Sequence, residues 1–303
     1  MSAFIIMLSN SWVFFSLLTG LFLATVNIID KYVLTRWIKN PMVLVLIVGI
    51  LGLVPSLLFI VIKGIPHLST PNILLTAAAS VSFVFYAYFY FSAANIEEIS
   101  RVVPLIYTAP LFISILASIF LHEIFAVEKY AGILILLVGA VLISSKDPIK
   151  IRLGKAFWLM MLASLAFSIY MVITKHLLNF VDSWTVFSLT RIGIFLALIP
   201  LFPVYLPILF SNLRVHGLKV LGVMTINEAF ALAASLFIII AASLGPVTLV
   251  NALSSVQPFF VLFFAVFLSF LYPSILKEEI GKSTLLLKLL AIVLIISGVV
   301  IIT

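Results

Sequence analysis

The chain has no cysteine among its 303 residues. That excludes a disulfide framework, a thiolate metal site and a cysteine nucleophile, and it leaves the redox compartment undetermined. Charge is scarce as well: Asp, Glu, Lys and Arg make up 9% of the residues, against about 25% in a soluble domain. What fills the space is apolar. Hydrophobic residues reach 65% and the mean hydropathy is +1.38, which places the chain among integral membrane proteins. The formal charge of +7 comes from dispersed Lys and Arg with no dense cluster. Orienting membrane helices explains it better than nucleic-acid binding. The start, "MSAFIIMLSNSW", has neither a positive n-region nor a small-residue cleavage site, so the first helix is expected to stay.

Crossing the hydrocarbon core takes about 20 mostly apolar residues. Ten runs qualify, near 12–35, 41–62, 72–94, 98–121, 127–145, 154–178, 185–210, 219–243, 247–272 and 284–302. Turn chemistry separates them at "NP" (Asn40), "STPN" (Ser69), "KDP" (Lys146), "LGP" (Leu244) and "YPS" (Tyr272). The runs are continuous rather than alternating, which excludes a β-barrel. The expected fold is all-α: ten transmembrane helices and no sizeable soluble domain.

The two halves repeat each other. "LTGLFLATVNIIDKYVL", which holds Lys31, matches "LASLAFSIYMVITKHLL", which holds Lys175, at an offset of 144. "AANIEEISRVVPLIYTAPLF" matches "AASLGPVTLVNALSSVQPFF" at 148, aligning Pro110 with Pro258. "KYAGILILLVGAVLI" matches "KLLAIVLIISGVVII" at 159, aligning Gly139 with Gly298. The drift marks an insertion around "YPSILKEEIGK". The division expected is two five-helix units, 1–146 and 147–303. Five is odd, so the second unit enters the membrane from the opposite side. Inverted repeats of this kind are the architecture of secondary transporters, with substrate held near the midplane between the halves.

With these residues in view, the chain resembles the drug/metabolite transporter superfamily, EamA type. The resemblance lies in "SAANIEEISRVVPLIYTAPLFISILASIFLHEIFAVEKYAGILILLVGAVLI", similar to the family's fourth and fifth helices. Pro110 and Glu123 fit its proline and its "GE", while His122 stands where the family has glycine. In the second half the counterpart of Glu123 is open between Glu278 and Glu279. The resemblance implies a ten-helix transporter with a central cavity lined mainly by helices 1, 3, 4, 6, 8 and 9, and termini in the cytoplasm. The positive-inside rule points the other way. Thirteen Lys and Arg fall in odd-numbered connections and four in even-numbered ones, which puts the termini outside. Orientation stays open between the two.

Polar groups inside the hydrocarbon are costly and tend to face a cavity or a partner. The foremost is Glu228, beside Asn227 in "VMTINEAFALAAS". It lies about nine residues, or roughly 13 Å, into the eighth helix. A carboxyl group at that depth can load and release a proton, as a proton-coupled exporter requires. The competing reading is a structural ion pair with Arg191 of the seventh helix. By the 148 offset Glu228 matches Ser80, so one half alone carries the acid. Asn27 and Lys31 share a face of the first helix at i and i+4. Lys31 and its repeat Lys175 are expected chiefly to snorkel, and Asp30 to be interfacial. The third helix carries "FVFYAYFYF", with Tyr86 and Tyr90 on one face beside Phe83. That run serves a cavity wall or an interfacial belt equally well. Tyr107 and Tyr170 are companions to it. Asn251 and Gln257 on the ninth helix are either cavity-facing or interhelical glue. Glu97, Glu98 and Arg101 are expected to cap the hairpin between helices 3 and 4. Gly132 and Gly139 give the fifth helix a small-residue face, and Glu123 is expected to be structural.

Several motifs fail. "GKST" at Gly281 lacks the glycine five positions earlier, where Leu276 stands. His122-Glu123 lacks a second histidine at Ala126. The four histidines do not cluster, and no catalytic arrangement can be argued. No enzyme activity, cofactor, metal or nucleic-acid partner is therefore expected. The expectation is a secondary transporter in the cell membrane that exports a small metabolite, with proton coupling. Its alternatives are a nucleotide-sugar or lipid-precursor transporter, for which Lys31, Lys175 and Arg191 would have to face inward, and a scaffold or intramembrane enzyme.

Overall fold

The structure is a computed structural model that describes residues 11–64, 68–97, 99–122, 126–144, 154–254, 256–271 and 282–302. Among them every regular element is helical. The chain forms α1 (Ser11–Arg36), α2 (Pro41–Lys63), α3 (Thr70–Ile96), α4 (Ile99–Leu105), α5 (Ala109–Phe120), α6 (Val127–Ser144), α7 (Lys155–Leu177), α8 (Ser183–Leu198), α9 (Phe202–His216), α10 (Leu218–Leu244), α11 (Val247–Ser254), α12 (Gln257–Leu271) and α13 (Lys282–Ile302). Among the described residues, seven segments are long and apolar enough to cross a membrane: α1, α2, α3, α7, the continuous α8–α9 run Ser183–His216, α10 and the run Val247–Phe264. Of the ten expected spans, the fourth and tenth contribute the shorter apolar stretches Ile106–Phe120 and Leu289–Gly298. The expected breaks at Lys146 and Tyr272, and the residues Glu98, Glu123, Glu278 and Glu279, lie outside the described residues.

Local sequence sets the helix ends. Asn40 caps α2: its side-chain oxygen accepts the Met42 N–H at 3.0 Å, and Pro41 follows at the first helical position. Asp182 caps α8, accepting from the N–H groups of Trp184 and Thr185. Gly64 and Gly217, with φ of 86° and 71°, end α2 and α9. His122 has φ 55° in the turn after α5. It occupies the left-handed region where the family pattern places glycine, at a cost of about 1 kcal/mol for an L-residue.

Two prolines break two spans at matching places. Pro110 has no N–H to donate to Ile106, so the chain tightens to a 3₁₀ turn over Ile106–Thr108, where the Ala109 N–H reaches the Ile106 carbonyl. Pro258 likewise follows the break between α11 and α12. Each break is met by the first helix of the opposite half. Ser164 of α7 donates its hydroxyl to Leu105 O at 3.2 Å. Gly20 of α1 comes so close to the α11 end that a Cβ there would lie 3.0 Å from Ser254 O.

Lipid supplies no hydrophobic drive between helices, so close packing and hydrogen bonds must hold the bundle together. The main pairings are α1 with α10, α3 with α7, α2 with α8 and α6 with α13. The α6–α13 pairing uses the expected small-residue face: a Cβ on Gly298 would lie 2.8 Å from Gly132 O and from the Leu136 backbone nitrogen. Two apolar clusters result. One is built around Leu34, Leu44, Val102 and Leu198, the other around Ile113, Met171, Ile239 and Val250.

Lys31 and Lys175 correct the expectation that they snorkel. Lys31 Nζ donates to the carbonyls of Ala94 and Glu97, both at 2.9 Å. Lys175 Nζ donates to those of Ala242 and Gly245, at 2.6 and 2.8 Å. Each lysine thus caps the C-terminal end of a neighbouring helix, α3 or α10. There the orphan carbonyls and the negative end of the helix dipole favour a cation. The hairpin after α3 is therefore tied by a lysine from another helix. Glu97 sits at the helix C-cap, its N–H donating to Ala93 O at 3.0 Å.

Candidate functional site

A cavity of about 120 Å³ lies where the two apolar clusters meet. A single water needs only about 10–15 Å³, so the space suits a small solute. Helices from both halves line it: α1, α2, α3, α5, α7, α8, α10, α11 and α12, with the 3₁₀ turn. Ten of the residues singled out from sequence come together in its wall: Asn27, Tyr86, Tyr90, Tyr107, Tyr170, Arg191, Asn227, Glu228, Asn251 and Gln257. Lys31 and Lys175 are not in the lining; they hold the helix ends described above.

Asp30 is the correction. Expected at the interface, it is 3% exposed and lines the cavity. The physical reason is length. α1 continues to Arg36, nearly two turns past Asp30, so the residue lies inside the bundle. A signal was present, since Asp30 is three residues from Asn27 and shares its face.

These polar groups form a network between helices. The Tyr90 hydroxyl donates to Asn27 Oδ1 at 2.7 Å and lies 3.3 Å from Asp30 Oδ2. Asn227 Nδ2 donates to Asp30 Oδ1 at 2.6 Å. Asn227 on α10 is thereby tied to α1, and α1 to α3. Tyr90 is 4% exposed, which makes it part of the wall and not of an interfacial belt.

Glu228 lies near the middle of α10, 2% exposed, with Oε1 3.7 Å from Arg191 Nη1. The two readings of Glu228, cavity-facing and paired with Arg191, therefore coexist. Arg191 also donates to the Ser235 hydroxyl. Its guanidinium lies 5.0 Å from the centroid of Phe83 and 5.7 Å from that of Phe187, a cation–π seat. Ser235 is seven residues beyond Glu228, two turns along the same face, and sequence reasoning passed over it.

Aromatic rings close one side. Tyr86 is stacked with Tyr90 at 6.2 Å and lies 5.0 Å from Phe167; Phe83 lies 5.2 Å from Tyr170. Phe167 was not anticipated. It sits three residues before Tyr170, on the same helix face. Several buried polar atoms of the wall make no hydrogen bond: Asn27 Nδ2, Tyr107 OH and Asn227 Oδ1, together with Arg191 Nη1 and Glu228 Oε1, which face each other at 3.7 Å. Buried polar groups are normally paired, so unpaired atoms around a cavity mark places where a solute or water completes the bonding. Asn251, by contrast, donates to Val247 O within its own helix.

Comparison with known proteins agrees with this architecture. Residues 10–145 match the EamA-like transporter family. No curated protein matches the chain. A solved crystal structure of a protein superposes with a TM-score of 0.67, covering 98% of this chain and 95% of that one, at 17% sequence identity. At that identity the likeness concerns the fold.

Proposed function

We propose that this chain, whose residues 10–145 match the EamA-like transporter family, is a secondary transporter that exports a small metabolite by alternating access, coupled to protons. The chain is a multi-pass integral membrane protein, and the cell membrane is the proposed location. The observation that carries the reading is the cavity: a solute-sized space, walled by both halves, whose lining residues include buried polar atoms that make no hydrogen bond. The working units are the halves 1–146 and 147–303, inserted with opposite topology. Three correspondences support that division. Lys31 and Lys175 make the same two-carbonyl cap. Both broken spans carry a proline at the break. The α1–α10 pairing mirrors the α7–α3 pairing. Rocking of one unit against the other would expose the cavity alternately to each side.

Glu228 is the proposed coupling acid. Asn27, Tyr86, Tyr90, Tyr107, Tyr170, Arg191, Asn227, Asn251 and Gln257 are proposed as its companions in holding solute. The nucleotide-sugar alternative loses support, because Arg191 lines the cavity while Lys31 and Lys175 do not. A pure scaffold has no use for a cavity at Glu228.

The test is reconstitution in liposomes containing a pH dye, with pools of solutes offered to wild type and Glu228→Gln. Wild type should move a solute together with protons, and the variant should lose the proton signal. Full coupling in Glu228→Gln would remove Glu228 from its role. Movement of no pool would remove the transporter reading.

A further inference from the structure

We infer that the cavity is built for a solute carrying one organic ammonium group on an apolar or aromatic body, with Asp30 as the partner of its positive charge. This deepens the transporter reading and rests on it.

The charge balance comes first. The cavity wall holds three ionisable charges, Asp30, Arg191 and Glu228. Arg191 and Glu228 face each other at 3.7 Å. Asp30 accepts from the neutral Asn227 amide at 2.6 Å, with the Tyr90 hydroxyl 3.3 Å away, and it has no cationic partner among the described residues. With all three ionised the wall carries one unmatched negative charge, nine-tenths and more buried. A buried charge is stable only when paired, and a monocationic solute supplies the pair.

Hydrogen-bond capacity gives the second argument. An ammonium group has three donors and no acceptor. The Asn227 amide that donates to Asp30 leaves its own Oδ1 unpartnered, next to the carboxylate. Asp30 and Asn227 Oδ1 together form an acceptor pair on one spot of the wall. An anion would find the opposite there. Arg191 Nη1, which makes no hydrogen bond but already faces Glu228 at 3.7 Å, is a poor seat for a carboxylate, because Glu228 would have to share it.

The wall beside Asp30 gives the third. Tyr90, whose hydroxyl reaches Asp30, stacks with Tyr86, and Tyr86 meets Phe167 at 5.0 Å. Ring faces attract a desolvated cation and pack against an apolar body. The acid and the rings thus sit within one side-chain reach of each other.

The test uses the full chain in lipid nanodiscs and three probes with one ring and different charge: phenethylamine, phenylalanine and hydrocinnamate. Calorimetric titration should find phenethylamine tightest, by about tenfold or more. Asp30→Asn should weaken it on the order of a hundredfold, the loss seen when one member of a buried charge pair goes. Thermal unfolding of the variant establishes that it is folded. If it is not, the order of the three probes on wild type decides alone. Equal or tighter binding of phenylalanine or hydrocinnamate, unchanged amine binding in folded Asp30→Asn, or binding of none of the three would overturn the inference. Failure here is distinct from failure of the transporter reading: liposomes that move an acidic solute would sink the ammonium site and leave transport standing.

Discussion

Replacing Lys31 or Lys175 by methionine keeps the length and apolar stem of the side chain and removes only the charged donor. The caps seen here make a quantitative prediction. Lys31 Nζ donates twice at 2.9 Å, and Lys175 at 2.6 and 2.8 Å. A hydrogen bond to a charged group contributes a net of about 1.5–3 kcal/mol. Both lysines are half-buried, so water near the headgroups replaces part of the loss, and the lower end applies. Each single variant should lose about 1.5–2 kcal/mol of unfolding free energy. Lys175→Met should lose the more, having the shorter bonds. The four carbonyls are distinct, so the double variant should lose the sum within about 0.5 kcal/mol. Reversible unfolding in mixed detergent micelles, followed by circular dichroism, measures this. Two single variants within about 0.5 kcal/mol of wild type would refute the capping argument and return both lysines to snorkelling.

Two further predictions use the same measurement. Gly298→Val should cost about 1–3 kcal/mol by overpacking the α6–α13 contact, because backbone atoms of Gly132 and Leu136 lie 2.8 Å from its Cβ position. Gly222→Val, with nothing within 4 Å of its Cβ position, is the matched control and should leave stability unchanged or slightly raised; equal losses in both would sink the close-packing account. Arg191→Met should cost about 3 kcal/mol by stranding the Glu228 carboxylate, and adding Glu228→Gln should restore part of it. A neutral single variant would mean that the 3.7 Å approach carries no pairing.

Sequence alone determined what depends on composition and on one helix at a time. The hydrophobic runs set the membrane class, because no other solvent tolerates them. The turn at Asn40 was legible, and the structure adds its side-chain cap; Pro110 and Pro258 were legible as matching prolines, though not as breaks. The internal matches located equivalent positions such as Lys31 and Lys175. Ten polar or aromatic residues of the cavity wall were legible as well, since a polar group in hydrocarbon is conspicuous wherever it falls. Only the tertiary structure decided what those groups meet. Both lysine caps bridge helices more than sixty residues apart in the chain, and no periodicity within α1 or α7 encodes that. Asp30 depended on how far α1 continues and on Asn227 arriving from α10, 197 residues later. Glu228 posed a choice between cavity and ion pair that one helix cannot make. α8 and α10 settle it together by placing Arg191 at the cavity edge, where the acid lies within reach of both.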